Sequence, residues 1–349
     1  MAESPLFAPA FTPVAQPEDS TFSPDDFARL SQCWFPVAIA SDLCDAPLSI
    51  TLLDVRLVLY RTAGGVTAAL DRCPHRGVPL SRGWIRKDEI VCPYHGLRFD
   101  AAGACTAIPS QPGARPAGKM QLKTRPCVER FGLIWTSLAS DAPLLPEFDA
   151  WERTGFQQIM CPSIDIAGAA GRQIEGFLDV AHFAFAHLGT FGDPDKPVVP
   201  DYRVERTERG VRAIYDSDIS NFAPDQRDRA PEGFVWRRTF EVFPPFTARL
   251  IVDFPEQRQL WILNAVSPIS ARRIRMFCPQ ARDFDTDQPV EPVQAFNLRI
   301  FEEDRTMVES QVPIDLPLDG AEEAHIAADR TSIAYRKLLR EMGLELRSR

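Results

Sequence analysis

No run of roughly 18 or more apolar residues occurs in this 349-residue sequence, so nothing in it is expected to cross a membrane as a helix. A Lys/Arg-rich run is also missing. The net charge is −9, and without the basic face that phosphate neutralisation requires, nucleic acid is not an expected partner. Met1–Ser20 lacks a basic stretch followed by an apolar core, and reads as a loose Pro-containing arm rather than a signal peptide. No Gly-rich dinucleotide fingerprint follows a strand and no plant-type ferredoxin cysteine run is present, so the chain is not expected to oxidise NAD(P)H itself. Internal repeats and low-complexity tracts are absent. Eight cysteines without secretory features point to a reducing compartment, the cytoplasm by default. Histidine is scarce: there are five, and four of them fall into two tight constellations.

The rest is ordinary globular composition, 45% apolar and 25% charged, in a length that suits one large or two ordinary domains. From Ser41 to Ala139 short β-branched or aromatic runs (Val55–Tyr60, Val66–Leu70, Ile90–Cys92, Leu133–Ser137) alternate with Gly-containing breaks, and Cys33–Ala38 reads as a further strand. This is the pattern of a compact antiparallel β domain. Ser140–Pro146 reads as a linker. A helical segment is expected over Arg172–Ala186, followed by a polar loop, Phe222–Pro231, of the kind that borders a pocket. Phe234–Phe243, Thr247–Phe254, Gln259–Ser267 and Arg272–Cys278 are strand-length and suggest successive hairpins of an antiparallel sheet. Helices are expected over Pro292–Val312 and Ala321–Leu346, the latter with a stripe of Tyr335, Leu338, Leu339, Met342 and Leu346. The expected organisation is an arm over residues 1–29, a β domain over 30–145 and a second domain over 146–349.

The first constellation lies in Asp71–Phe99, DRCPHRGVPLSRGWIRKDEIVCPYHGLRF. Cys73-x-His75 is followed, after sixteen residues, by Cys92-x2-His95. Two thiolates on one iron and two imidazoles on the other are what a Rieske [2Fe–2S] cluster requires. A structural zinc site uses the same four residue types, but typically groups the cysteines together and the histidines together. Here Cys and His alternate. Respiratory Rieske proteins carry an extra Cys in each loop; the matching positions here are Val78 and Tyr94.

The second constellation is EGFLDVAHFAFAH, Glu175 to His187, giving Asp179-x2-His182-x4-His187. On a helix Asp179 and His182 lie about 300° apart and share a face, whereas His182 and His187 lie about 140° apart. One metal could not reach both, so the helix is expected to end or distort near Ala184–Ala186. Two histidines with one carboxylate hold Fe(II) on one face and leave positions open for O2 and substrate. In the helix around Phe301, Phe296, Ile300, Asp304 and Met307 share a stripe, so Asp304 points among apolar neighbours, where an unpaired charge is costly. A metal would explain it, and so would an ion pair with Arg299 or Arg305. Glu303 lies at the margin of the same stripe, and periodicity does not exclude it as the ligand.

Both motifs together resemble the oxygenase (α) subunits of Rieske non-haem iron oxygenases, and the resemblance covers nearly the whole chain. Within that family the likeness runs toward the group with methylxanthine N-demethylases, phenoxybenzoate dioxygenase and the saxitoxin-pathway hydroxylases. It is carried by Cys92–Gly96 (CPYHG), Leu178–His187, Phe301–Gln311 (FEEDRTMVESQ) and Ile333–Glu341 (IAYRKLLRE). The resemblance implies an α+β architecture: an antiparallel-β Rieske domain, then a catalytic domain with a central antiparallel sheet flanked by helices, of helix-grip type. It implies that Cys73, His75, Cys92 and His95 hold the cluster, and that His182, His187 and Asp304, rather than Glu303, hold the catalytic iron. Asp179 matches the family's bridging aspartate, which links a cluster histidine of one subunit to an iron histidine of its neighbour. A head-to-tail homotrimer is implied, with a hexamer of stacked trimers as the larger assembly. One position departs from the pattern. Gly176 stands where relatives often have Asn, so any contact that amide makes near the iron is missing, and a looser or larger site is expected.

The activity so implied is that of a bacterial terminal oxygenase. It would take O2 as co-substrate and electrons from a separate reductase, with or without a ferredoxin, so that NAD(P)H acts only indirectly. The subgroup favours monooxygenation of a small aromatic or heterocyclic molecule, by hydroxylation or by N- or O-demethylation, over cis-dihydroxylation of a ring. A Rieske protein that only transfers electrons is the other class of reading. The second constellation and roughly 200 further residues argue against it. Phe240, Ile251, Ile262 and Asn264 are the strand residues expected to line the substrate pocket, Asn264 being the polar candidate because a buried amide needs partners.

Overall fold

The computed structural model describes residues 14–139, 144–222 and 224–348. Much of the expected N-terminal arm, residues 1–13, and residues 140–143 of the expected linker lie outside the described residues. The described part of the arm includes a helix, α1 (Pro24–Leu30). The chain forms two compact units, Met1–Ser20 with Phe27–Leu145 and Thr21–Asp26 with Pro146–Arg349.

The first unit is built from three small antiparallel sheets. Phe35–Ile39, Leu133–Thr136 and Cys127–Arg130 form one. Leu48–Leu52, Val55–Thr62, Gly65–Leu70 and Thr124–Arg125 form the second. Trp84–Arg86, Glu89–Val91, Arg98–Phe99 and Cys105–Ala107 form the third. Val58, Tyr60, Leu80, Ile90, Leu97 and Phe99 pack into a buried cluster that also contains Cys73 and Cys92. The two cysteines are therefore core residues of a hydrophobic unit.

The second unit carries a nine-stranded antiparallel sheet. Its main path runs Gln157–Met160, Pro279–Arg282, Arg258–Ser270, Thr247–Phe254, Trp236–Phe243, Val211–Ser217, Arg203–Arg206. Arg273–Phe277 pairs with the long Arg258–Ser270 strand and with Ile164–Ile166. The four expected hairpin strands are present. The two at one edge, Val211–Ser217 and Arg203–Arg206, were not anticipated, the latter because its sequence, RVER, is mostly charged.

Four helices complete the unit: α2 (Ala170–Leu178), the single-turn α3 (Phe183–Ala186), α4 (Glu291–Ser310) and α5 (Arg330–Glu341). The C-terminal helix is shorter than Ala321–Leu346. It starts only at Arg330, after a short 3-10 turn, and Leu346 lies beyond it with φ 53°. Gly343 at φ 75°, a conformation that favours glycine, follows the helix end. Within it Tyr335, Leu338 and Leu339 are buried as the stripe requires. A buried ionic cluster ties α2 to α5. Arg336 donates to both carboxylate oxygens of Glu175, at 2.5 and 2.8 Å, and to Glu323, which also accepts from Arg172. Because every charge there has a partner, the end of α2 is held firmly where the second constellation begins.

Candidate metal centres and cavity

In the first unit the two Cys/His segments are backbone twins. The Cys73 N–H donates to Val78 O, and the Gly77 N–H returns to Cys73 O, both at 2.9 Å. Likewise the Cys92 N–H donates to Leu97 O at 2.8 Å and the Gly96 N–H returns to Cys92 O at 3.0 Å. Gly77 and Gly96 occupy matching positions at φ 74° and 67°, where a side chain would be strained. Each turn thus presents a buried thiol on one side and an imidazole on the other. His75 Nδ1 and His95 Nδ1 face each other 3.2 Å apart. Asp71 braces the first turn by accepting from the Ser81 N–H and hydroxyl at 2.8 and 2.6 Å. Burial, aided by Cys92, pushes the Cys73 thiol up to about 11, so the site favours a thiolate only when a metal replaces the proton.

Among the described residues, the group of three or more metal-ligand side chains whose donors converge closely enough for one ion is His182, His187 and Asp304. No three of Cys73, His75, Cys92 and His95 do so. A tetrahedral zinc needs four donors around one point. A paired arrangement of thiols and imidazoles that share no single centre fits a larger, two-iron group instead.

In the second unit the helix is broken earlier than expected. α2 stops at Leu178, and Asp179 is extended, with φ −73° and ψ 128°. The Asp179 Oδ1 accepts the Ala181 N–H at 2.7 Å, a local bond that competes with helix continuation. Asp179 and His182 therefore do not share a helical face; the helical segment ends at Ala186 as expected, but it is also broken earlier, between Leu178 and His182. His182 and His187 flank α3 at its two ends. That placement solves the 140° problem: neither imidazole is inside a regular helix, and their Nε2 atoms meet at 2.9 Å.

Asp304, projecting from α4, lies with Oδ1 3.5 Å from His182 Nε2 and 3.4 Å from His187 Nε2. The ion-pair alternatives are not realised, because Arg299 stacks on Phe296 and Arg305 pairs with Glu302. Of the expected stripe on α4, Phe296, Ile300 and Asp304 line the cavity, but Met307 is 50% exposed, and Asn297, Phe301 and Val308 are the buried residues of the helix.

Glu303, weighed as an alternative ligand, has a different place. Its Oε2 lies 2.9 Å from His187 Nδ1 and accepts from the Thr190 hydroxyl at 2.8 Å. A carboxylate can only accept, so Nδ1 carries the His187 proton and Nε2 presents its lone pair to the centre of the site. Gly189 leaves space for this carboxylate, since a Cβ there would lie 2.5 Å from Glu303 Oε1. Thr190 and Gly189 carried no periodic signal in the sequence. Burial lowers the pKa of His187, which keeps it neutral as a ligand should be. Burial acts the same way on His182, but Asp304 and Asp179 outweigh it and raise that value. The other ring nitrogen of His182, Nδ1, is buried without a hydrogen-bond partner and lies 3.8 Å from Asp179 Oδ2. The donor set fits a mononuclear metal: two imidazole nitrogens and one carboxylate oxygen converge, with the tautomer of His187 already set.

This centre opens on a cavity of about 630 Å3. Phe240, Leu250 and Ile262 come from three adjacent strands and sit opposite one another in register, so they form one wall. Phe240, Ile262 and Asn264 line the cavity as expected, but Ile251 does not. In a strand, successive side chains point to opposite faces, so with Leu250 facing the cavity Ile251 must face away. Asn264 donates to Met276 Sδ at 3.3 Å, while its Oδ1 is buried without a partner. The expected polar loop borders the cavity through Phe222, Asp225, Gln226 and Arg229. Arg238 and Asn297, both lining residues, were not anticipated. Gly176 meets no tight neighbour, since a Cβ there would contact only Val308 at 3.9 Å. It does not line the cavity, whose amides come from Asn221, Gln226, Asn264, Gln288 and Asn297.

Comparison with known proteins gives a consistent result. Residues 33–126 match the Rieske [2Fe-2S] domain, and residues 167–345 match the vanillate O-demethylase oxygenase C-terminal domain. The chain is 33% identical to methylxanthine N1-demethylase NdmA of Pseudomonas putida over 327 residues, covering 91% of this chain and 90% of that one. It is 30% identical to methylxanthine N3-demethylase NdmB of the same species, covering 92% and 91%. The solved structure of Pseudomonas putida CBB5 NdmA with caffeine superposes with a TM-score of 0.82 at 32% identity, covering 91% of this chain and 92% of that one.

Proposed function

This chain belongs to the Rieske non-haem iron oxygenase family, and we propose that it removes a methyl group from nitrogen or oxygen on a small aromatic or heterocyclic substrate. Members of the family use a Rieske [2Fe–2S] cluster, non-haem iron, O2 and electrons supplied by a reductase. In this reading Cys73 and Cys92 hold one cluster iron, His75 and His95 hold the other, and His182, His187 and Asp304 hold the mononuclear iron. That iron, when bound, supplies the centre at which O2 is activated for attack on a C–H bond.

The observation that carries the reading is the convergence of His182, His187 and Asp304 on the wall of an aromatic-lined cavity. The residues divide the work. Glu303 holds the His187 proton away from the centre and fixes the ring. Phe183 and Phe191 pack around the imidazoles, with ring centroids 5.0 Å from His182 and 4.6 Å from His187, and exclude water. The wall of Phe240, Leu250 and Ile262 offers a flat apolar surface to a planar ring, and Asn264 offers an unpaired amide oxygen for its orientation. A methyl group hydroxylated here becomes a hemiaminal or hemiacetal and collapses to formaldehyde.

The same reading extends to the assembly. The Asp179 carboxylate faces His182 Nδ1 and is about one-third exposed, which supports a role in accepting N–H bonds from two imidazoles, one of them a cluster histidine of a neighbouring copy in a head-to-tail trimer. Eight free thiols support a reducing, cytoplasmic setting. The test is a screen of methylated heterocycles and aryl methyl ethers with cluster- and iron-loaded enzyme and a surrogate reductase. Formaldehyde matching NADH consumption for one class is the expected outcome. A cis-diol without formaldehyde, or no oxidation of any member, would contradict the reading.

A further inference from the structure

Arg238 is the most deeply buried of the charged groups in the cavity wall that the proposed chemistry leaves unused. It is 1% exposed and stands two residues before Phe240 on the Trp236–Phe243 strand, so both side chains share the cavity face. Its guanidinium donates to Ser217 Oγ at 2.9 Å, to the Ile219 carbonyl at 2.7 Å and to Asn221 Oδ1. Its ring neighbours are Phe183, 5.8 Å away, and Tyr215, 5.9 Å away. None of these carries a charge.

The other deeply buried arginines of this unit are treated differently. Arg172 meets Glu323, Arg249 meets Glu241, and Arg336 meets both Glu175 and Glu323. Arg282, also in the wall, has the Asp285 carboxylate nearby. No carboxylate among the described residues lies within ion-pair distance of Arg238. A buried cation without a counter-ion is costly, and burial pulls its pKa down to about 10. Of the carboxylates that line the cavity, Asp304 lies against the imidazoles, Asp285 pairs with Arg229, and Asp225 is exposed on the bordering loop, outside ion-pair distance of Arg238. The missing anion has to come from whatever fills the cavity.

We propose that Arg238 is the anchor for an anionic group, a carboxylate or sulfonate, on the aromatic substrate. The proposal rests on the demethylase reading of the same site and narrows its substrate class. Arg238 would bind one end of the ring while the methyl-bearing heteroatom faces the His182–His187–Asp304 centre. The spacing suits a single ring: Phe183 lies 5.8 Å from the guanidinium carbon and 5.0 Å from the His182 ring, which together cap their separation at about 11 Å. Phe240 and Ile262 then contact the ring faces, and a charge-assisted bond to the guanidinium distinguishes an anion from its neutral isostere.

The test uses loaded holoenzyme and isothermal titration with the isomeric methoxybenzoates, the corresponding methoxybenzenesulfonates and the corresponding neutral methoxybenzamides. At least one anionic isomer is expected to bind about tenfold or more tighter than its amide, with the carboxylate and sulfonate arms identifying which acid the pocket prefers. Arg238→Gln is expected to collapse that ratio toward one and Arg238→Lys to restore part of it. A purely structural role for Arg238 would lower the melting temperature of the variants without changing the anion-to-amide ratio. The proposal is overturned if the amides bind as tightly as the anions in the unmodified enzyme, if neither class binds, or if the ratio survives in Arg238→Lys and Arg238→Gln alike. Should Arg238→Gln not fold, the unmodified ratio and Arg238→Lys decide. Arg238-dependent anion binding without formaldehyde release would retain this inference and reject the demethylase reading.

Discussion

Replacing Glu303 by Gln preserves shape and removes one charge, and its effect on the iron site follows from two hydrogen bonds. Glu303 Oε2 accepts from both His187 Nδ1 and the Thr190 hydroxyl. A glutamine can turn its oxygen toward His187, losing the charge that strengthens both bonds, or turn its NH2 there. The second orientation forces the proton of His187 onto Nε2, the atom that should bind metal. Losing such an orienting carboxylate typically lowers metal affinity 10- to 100-fold, which is about 1.4–2.7 kcal/mol. The assay is competition for Fe(II) against a chromogenic chelator, with cluster absorption as the internal measure of intact protein. Affinity should fall by that factor while cluster content stays unchanged. Gly189→Ala should act in the same direction, since its Cβ would occupy the space 2.5 Å from Glu303 Oε1. Unaltered iron affinity in Glu303→Gln would refute the reasoning that this carboxylate sets the His187 tautomer.

Asp179→Asn should keep both metal centres but abolish substrate-dependent NADH consumption; unchanged product formation would exclude a bridging role. Arg336→Ala leaves the buried Glu175 with only Arg172, 3.5 Å away, and should cost about 3 kcal/mol, visible as a melting temperature lower by about 6–12 °C. Asp165 provides a pH test. Hydrogen bonds from Arg275, with Arg273 adding to them, hold its carboxyl below the ordinary range. Because the folded-state value is depressed, the stabilisation is complete above the unfolded value near 4 and is lost as the pH falls through the folded value. Asp165→Asn should therefore melt below the unmodified protein at pH 7, by a small amount because the pair is partly exposed, and the gap should close in acid.

The two candidate ligand sets were legible because metal chemistry restricts residue type and spacing more tightly than folding does. Cys73-x-His75 and Cys92-x2-His95 have few other uses, and the end of the helix at Ala186, just before His187, followed from angular arithmetic. The earlier break, between Leu178 and His182, did not follow, because it depends on the bond from the Ala181 N–H to Asp179 Oδ1 rather than on apolar periodicity. Adjacent residues on a helix margin cannot be assigned distinct roles by a 100° step, so Asp304 and Glu303 separated only through family resemblance and then through geometry. Ile251 was misplaced for a related reason. Alternation says that Leu250 and Ile251 face opposite ways, but which one faces the cavity depends on strand register, which is set by pairing across the sheet. Arg238 was illegible altogether. In a strand an arginine ordinarily points to solvent, and only the turn carrying Ser217, Ile219 and Asn221 shows that this one is buried.

The most direct test of two distinct iron sites in one chain is the ratio of iron to acid-labile sulfide in anaerobically purified, fully loaded protein. The account predicts about three irons for every two sulfides, falling to about two for two in His187→Ala with the cluster absorption intact. Zinc in place of iron, or a two-to-two ratio in the unmodified chain after loading, would contradict it.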